Sequence, residues 1–142
     1  MTNISAEIRA VALFPVVAAA LIDGAGRVLV QQRPSGKQMA GLWGFPGGKL
    51  EPGETPEAAL ARELDEELGI VVDPSALRPA TFASEPLGDK NLLLLLYVCR
   101  FWSGDPVALD AVAVRWVTLA EMRMLDMPPA DAPFIDALER MI

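Results

Sequence analysis

Residues 62–70 read Arg-Glu-Leu-Asp-Glu-Glu-Leu-Gly-Ile, "RELDEELGI". Glu63, Asp65, Glu66 and Glu67 crowd together there, and Arg62 is the one adjacent cation. Gly69 marks a helix end, because glycine adopts the left-handed conformation that closes many helices. The acids therefore sit in a last helical turn, where the dipole disfavours negative charge by about 0.3–1 kcal/mol each. On a helix, Glu63, Glu66 and Glu67 are spaced i, i+3, i+4 and share one face, while Asp65 points elsewhere. Leu60, Leu64 and Leu68 form an adjacent apolar stripe that docks on a core. Like charges at this spacing cost roughly 0.2–0.5 kcal/mol per pair. Two readings account for the arrangement: a solvated acidic face, or a cation site with oxygen ligands suited to Mg²⁺ or Mn²⁺.

Composition narrows the chemistry. The 142 residues suffice for one domain, residues 1–142, with a sizeable core. A hydrophobic content of 52% with scattered charge marks a globular chain. The net charge of −7 argues against a nucleic-acid polymer as partner. The chain has no histidine, so His-based triads and His-ligated zinc are excluded. Acid–base chemistry then falls to carboxylates, Lys, Tyr or water on a metal. The one cysteine, Cys99, lies in an apolar run and reads as core. The apolar stretch at residues 10–22 is shorter than the ~20 residues a bilayer helix needs. It reads as a buried strand, and a cytoplasmic protein with no membrane partner is expected.

Residues 15–22 and 27–32 flank a turn at Asp23–Gly26 and predict a β-hairpin. A Gly- and Pro-rich stretch, 33–54, predicts loop with a short strand near Leu42–Phe45. Thr55 as N-cap and Pro56 in the first turn open a helix that runs to about Leu68. Residues 77–85, 91–102 and 112–118 predict strands, the second buried on both faces. Thr118 and Glu121 form a capping box for a short helix. A final helix is expected from about Asp131 to Met141. This order of elements suggests an α/β protein (α+β in some schemes), with a mixed sheet sandwiched between helices.

Upstream of the acidic turn, Gly48 is followed by five residues and Glu54, then seven residues and Arg62-Glu63-Leu64. Asp65, Glu66-Glu67, Leu68 and Gly69-Ile70 complete the run. This resembles the Nudix box: Gly, five residues, Glu, seven residues, Arg-Glu-aliphatic, any residue, Glu-Glu, any residue, Gly-aliphatic. Every defined position matches. The stretches "LWGFPGGKLEPGETPEAALARELDEELGI", "DKNLLLLLYVCRFWSGDP" and "PPADAPFIDAL" are similar to the MutT branch of that family. The resemblance covers about Pro15 to Ile142. It implies a Nudix fold and a nucleoside triphosphate substrate cut to the monophosphate and pyrophosphate, with Mg²⁺ as cofactor and Mn²⁺ as a substitute. It places the chain among 8-oxo-dGTP diphosphatases, which clean the nucleotide pool and so protect DNA.

Residue by residue, the resemblance carries metal ligation onto Glu63, Glu66 and Glu67, and carbonyl ligation onto Gly47. Arg62 orients the glutamates, and Glu54 supports them or adds a ligand. Asp110 matches a further acidic ligand, though Asp is shorter than the usual Glu. Arg33 matches an arginine that contacts substrate phosphate, and Lys49 a lysine beside the phosphates. Asp131 stands where MutT proteins carry Asn to read oxidised guanine. An ionised Asp only accepts hydrogen bonds, so it fits guanine's N–H edge or the cytosine amino group; its other reading is an N-cap for the last helix. Phe82 and Phe45 are candidates to stack on a base or to pack in the core. A monomer or homodimer is expected.

Two other substrates compete. The Asp131 change opens a CTP/dCTP reading, and Pro86, about sixteen residues after the box, matches a proline of ADP-ribose hydrolases. Two further classes are a non-catalytic nucleotide-binding module, expected to lose box carboxylates, and a calcium-binding structural protein, whose EF-hand pattern is absent.

Overall fold

A computed structural model describes residues 12–36 and 39–142. Its strands are β1 (Ala12–Leu21), β2 (Val28–Gln32), β3 (Trp43–Gly44), β4 (Gly47–Lys49), β5 (Arg78–Leu87), β6 (Lys90–Cys99) and β7 (Ala113–Val117). Its α-helices are α1 (Pro56–Leu68), α2 (Leu119–Met122) and α3 (Pro133–Met141).

The strands divide into two sheets. One has four strands in the order β4-β1-β6-β5, and the other three in the order β3-β2-β7. The larger is mixed, because β1 runs parallel to β6 while β4 and β5 pair antiparallel to their neighbours. Successive side chains of β1 face opposite sides. Val17, Ala19 and Leu21 join the apolar stripe of α1, formed by Leu60, Leu64 and Leu68. Ala18 and Ala20 join Val28 and Val30 of β2 with Phe134 and Leu138 of α3. Both faces of β1 are thus buried from Val17 onward, and the fold is the expected mixed sheet between helices.

Two expectations need correction. The hairpin does not form as a two-stranded unit. Its turn is tight, with the Asp23 carboxylate accepting from the Ala25 and Arg27 backbone, and Ile22 bridges to Val28. Beyond that bridge the strands part into different sheets, because β4 and β6 already occupy both edges of β1. The last helix begins at Pro133, and Ala132, which makes no side-chain cap bond, is its N-cap. Asp131 therefore does not cap it.

Helix α1 follows its local signals. Thr55 accepts from Ala58 N at 3.1 Å, and Gly69 closes the helix at φ 70°. The Thr118–Glu121 capping box also forms. Pro15 lies within β1 without breaking it, because β4 pairs only with Val16–Ala18 and that ladder ends before the proline.

Gly47 is required by crowding. A Cβ there would collide with the Val17 carbonyl oxygen and stand 2.7 Å from the Ala18 Cα. Gly47→Ala should destabilise the fold by about 1–3 kcal/mol, the usual cost of overpacking against backbone. A urea melt checks this, and an unchanged midpoint would show that the strands yield freely.

Candidate active site

A cleft of about 380 Å³ opens where the two sheets meet the acidic face of α1. Glu63, Glu67 and Asp110 line one part of it, Arg33 and Lys49 line it as well, and Asp131 contributes a further carboxylate. A second cavity of about 210 Å³ shares Arg33, Gly47, Gly48 and Asp131 with the first and is walled by Phe14, Leu92 and Leu94.

Arg62 organises the acids. Its Nε and Nη2 donate to the two oxygens of Glu54 at 2.7 and 2.9 Å, a paired contact that fixes both planes. Its Nη1 reaches Glu63 at 3.0 Å and Glu66 at 3.3 Å, and Nη2 also donates to the Lys49 carbonyl. The Arg62 hydrogen bonds hold the Glu54 carboxyl down at about 2, and the Arg62 guanidinium is pushed up in turn.

The three box glutamates do not converge on one point. Glu66 is drawn outward to Arg62, and its side chain is 60% exposed. Among the described residues no three carboxylates or cysteines form a ready-made metal cage. Mutual repulsion on one helix face is relieved by Arg62 on the outer side. Glu63 instead packs on Gly48, where a Cβ would lie 2.5–2.7 Å from its carboxylate. Glu67 is half-buried, with one carboxylate oxygen withdrawn from solvent. Its Oε1 accepts from Gln31 Nε2 at 2.6 Å, while its Oε2 is buried with no partner. Burial first, then the neighbouring Glu63 and Asp110, push its carboxyl up to about 8 against the opposing Gln31 bond.

Asp110 is exposed, but its loop is anchored. The backbone N–H groups of Val107 and Leu109 donate to the Leu68 and Glu67 carbonyls, which satisfies the end of α1. Arg33 is tied to Gly41 and Leu42 through its backbone and is exposed. The Lys49 ammonium stands 5.7 Å from the centre of the Phe14 ring. Asp131 turns into the cleft, and Gly44 leaves it room: a Cβ there would be 2.8 Å from Oδ2. Burial raises the Asp131 carboxyl to about 6, against the Phe45 backbone amide and the Arg33 charge.

Phe82 is not brought to the site. It lies on β5, at the opposite edge of the sheet from β4, is 64% exposed and lines neither cavity. It does not pack in the core either. Phe45 does, against Phe134 at 6.0 Å between ring centres. Sequence reasoning missed Gln31 and Gly44. For Gln31 a signal was present: two consecutive glutamines, Gln31 and Gln32, interrupt the apolar run of β2.

Residues 12–138 match the NUDIX domain family. The chain belongs to that family. Its NUDIX relatives include a Mycobacterium tuberculosis protein named provisionally as an 8-oxo-dGTP diphosphatase, 42% identical over 132 residues and 89% of each chain. The Escherichia coli 8-oxo-dGTP diphosphatase is 34% identical, over 80% of this chain and 87% of its own. The Escherichia coli CTP pyrophosphohydrolase is 38% identical, over 85% of this chain and 88% of its own. The crystal structure of a MutT NUDIX hydrolase from Burkholderia pseudomallei superposes with TM-score 0.73 at 27% identity, covering 92% of this chain and 98% of that one. No helix among the described residues is long and apolar enough to cross a membrane.

The half-buried Glu67 sets a pH dependence. Its folded value near 8 lies above its ordinary 4.5. The protonated form therefore favours folding below about pH 4.5, and that contribution is lost as pH rises to about 8. Glu54 shifts the other way, so its contribution is complete above pH 4.5 and lost only toward pH 2. In EDTA the melting temperature should fall between pH 5 and pH 8. A divalent cation held at this carboxylate would offset its charge, and the melting-temperature gain on adding Mg²⁺ should then grow over the same range. A Mg²⁺ gain that stays constant with pH would contradict this.

Proposed function

We propose that this NUDIX protein is a divalent-cation-dependent nucleoside triphosphate pyrophosphohydrolase acting on 8-oxo-dGTP and dGTP. One water is consumed, the bond between the α- and β-phosphates breaks, and the monophosphate and pyrophosphate leave. The observation that carries the reading is one cleft lined by carboxylates on α1, by Arg33 and Lys49, and by Asp131. Those are the partners that a cation, a polyphosphate and a base need.

The residues fit a hard cation. Glu63, Glu67 and Asp110 offer oxygen donors, the Glu67 Oε2 is buried and unpartnered, and Gly47 lines the same cleft. Glu66 would join through its place beside Glu63 in the Arg62 network. Once bound, Mg²⁺ (or Mn²⁺) supplies charge for the polyphosphate and lowers the pKa of a water. Arg62 holds Glu63, Glu66 and Glu54 in place. Arg33 and Lys49 attract the phosphates by charge. Asp131 accepts from N–H groups on the base edge.

A second reading, a CTP or dCTP hydrolase, is favoured by Asp131 itself, since a carboxylate accepts well from an exocyclic amino group. The relative named CTP pyrophosphohydrolase supports it. Pro86 lines neither cavity, so the ADP-ribose reading has no support from the cleft. A panel of 8-oxo-dGTP, dGTP, CTP and ADP-ribose with Mg²⁺, with products identified, tests both. The highest kcat/KM is expected on 8-oxo-dGTP, with pyrophosphate released. Turnover of ADP-ribose alone, or of none, would sink the proposal.

A further inference from the structure

We propose that Gln31 is a positioning residue of the cation site, fixing the Glu67 carboxylate and adding its own amide oxygen as an acceptor for the cation or its waters. This rests on the cation reading above. The side-chain Nε2 of Gln31 donates to Glu67 Oε1 at 2.6 Å, short for a bond from a neutral amide. The Gln31 backbone is held on both sides, by Gly44 of β3 and Val114 of β7. A strand paired on two edges gives its side chain a firmer base than a loop does.

The unpaired atoms carry the inference further. Gln31 Oε1 and Glu67 Oε2 are both buried without a hydrogen-bond partner. A pair retained only to satisfy each other would not leave an acceptor unmet on each member, since each unmet acceptor is costly. With Glu67 ionised, two unmet acceptors on adjoining side chains at one cleft call for a donor or a cation. A phosphate oxygen, itself an acceptor, would be repelled. The ligand class is thus a divalent cation with bound water.

The experiment compares wild type, Gln31→Leu, Glu67→Gln and the double variant by Mn²⁺ titration with electron paramagnetic resonance. Thermal melts in EDTA and in Mg²⁺ accompany it. Gln31→Leu should weaken Mn²⁺ binding roughly tenfold, as losing a partner of a metal ligand does, and should shrink the Mg²⁺-induced rise in melting temperature. In the Glu67→Gln background the same change should cost less than it does in wild type, what remains being the share of the Gln31 oxygen itself. Gln31→Ala, which admits water, carries the same comparison if the leucine variant fails to fold. Wild-type Mn²⁺ affinity in the Gln31 variants, with only the EDTA melt changed, overturns the proposal. So does an undiminished loss in the Glu67→Gln background. A wild-type protein that takes up no Mn²⁺ overturns the cation reading itself, and this inference with it.

Discussion

Glu67→Gln is expected to lower kcat in Mg²⁺ on the order of a thousandfold, the scale of several kcal/mol of metal-assisted stabilisation. The same change should raise the melting temperature in EDTA at pH 8. The two signs follow from one fact. The Glu67 side chain is half-buried, its Oε2 is buried with no partner, and its carboxyl is pushed up to about 8. Charge there serves a cation and burdens the fold. Glutamine keeps the shape and removes the charge, and relief of an unsatisfied buried group is worth about 1–3 kcal/mol. Glu66→Gln should also lose turnover. Its EDTA melt should stay within about 0.5 kcal/mol of wild type, the usual limit for surface changes, because that side chain is 60% exposed. Activity and melts measured together decide the matter. A Glu67→Gln protein that keeps its activity, or that melts lower in EDTA, rules out the assigned role.

Asp131→Asn should shift the ratio of kcat/KM between 8-oxo-dGTP and CTP roughly tenfold or more, the worth of about 1–3 kcal/mol at a base edge. Asparagine preserves shape, adds a donor and removes the charge, so oxidised guanine should gain. Burial pushes the Asp131 carboxyl up to about 6, and its protonated form also donates. The wild-type ratio should therefore drift toward that of the Asn variant as pH falls from 7 to 5, while the Asn ratio stays flat. Asp131→Ala should not show the ~1 kcal/mol loss typical of a missing cap, because Ala132 is the N-cap. Base ratios identical in wild type and Asp131→Asn would reduce Asp131 to a wall of the cleft.

What was legible in the sequence was local. The Thr55 cap, the Pro56 start and the Gly69 stop of α1 act within one turn each, and each appears as read. The Thr118–Glu121 box is equally short-range. The acidic face and its arginine could be read from helical spacing, and the cleft gathers Glu63 and Glu67 as that spacing requires. Misreadings came where distant chain decides. A turn as good as Asp23–Arg27 predicts a hairpin, yet β6, more than sixty residues on, claims the edge of β1. Asp131 has the chemistry of a cap, but Gly44, remote in sequence, leaves it a place in the cleft. The outward turn of Glu66 depends on the fork of Arg62, which spacing alone does not orient.

The chain passes from β3 in one sheet to β4 in the other through only Phe45 and Pro46, both buried. So short a crossing has no slack, and one of its two residues is a proline whose φ is fixed by its ring. The two strands that carry Gly44 and Gly48 on the cleft wall are therefore spaced by the covalent chain itself, whatever the loops around the rest of the rim do.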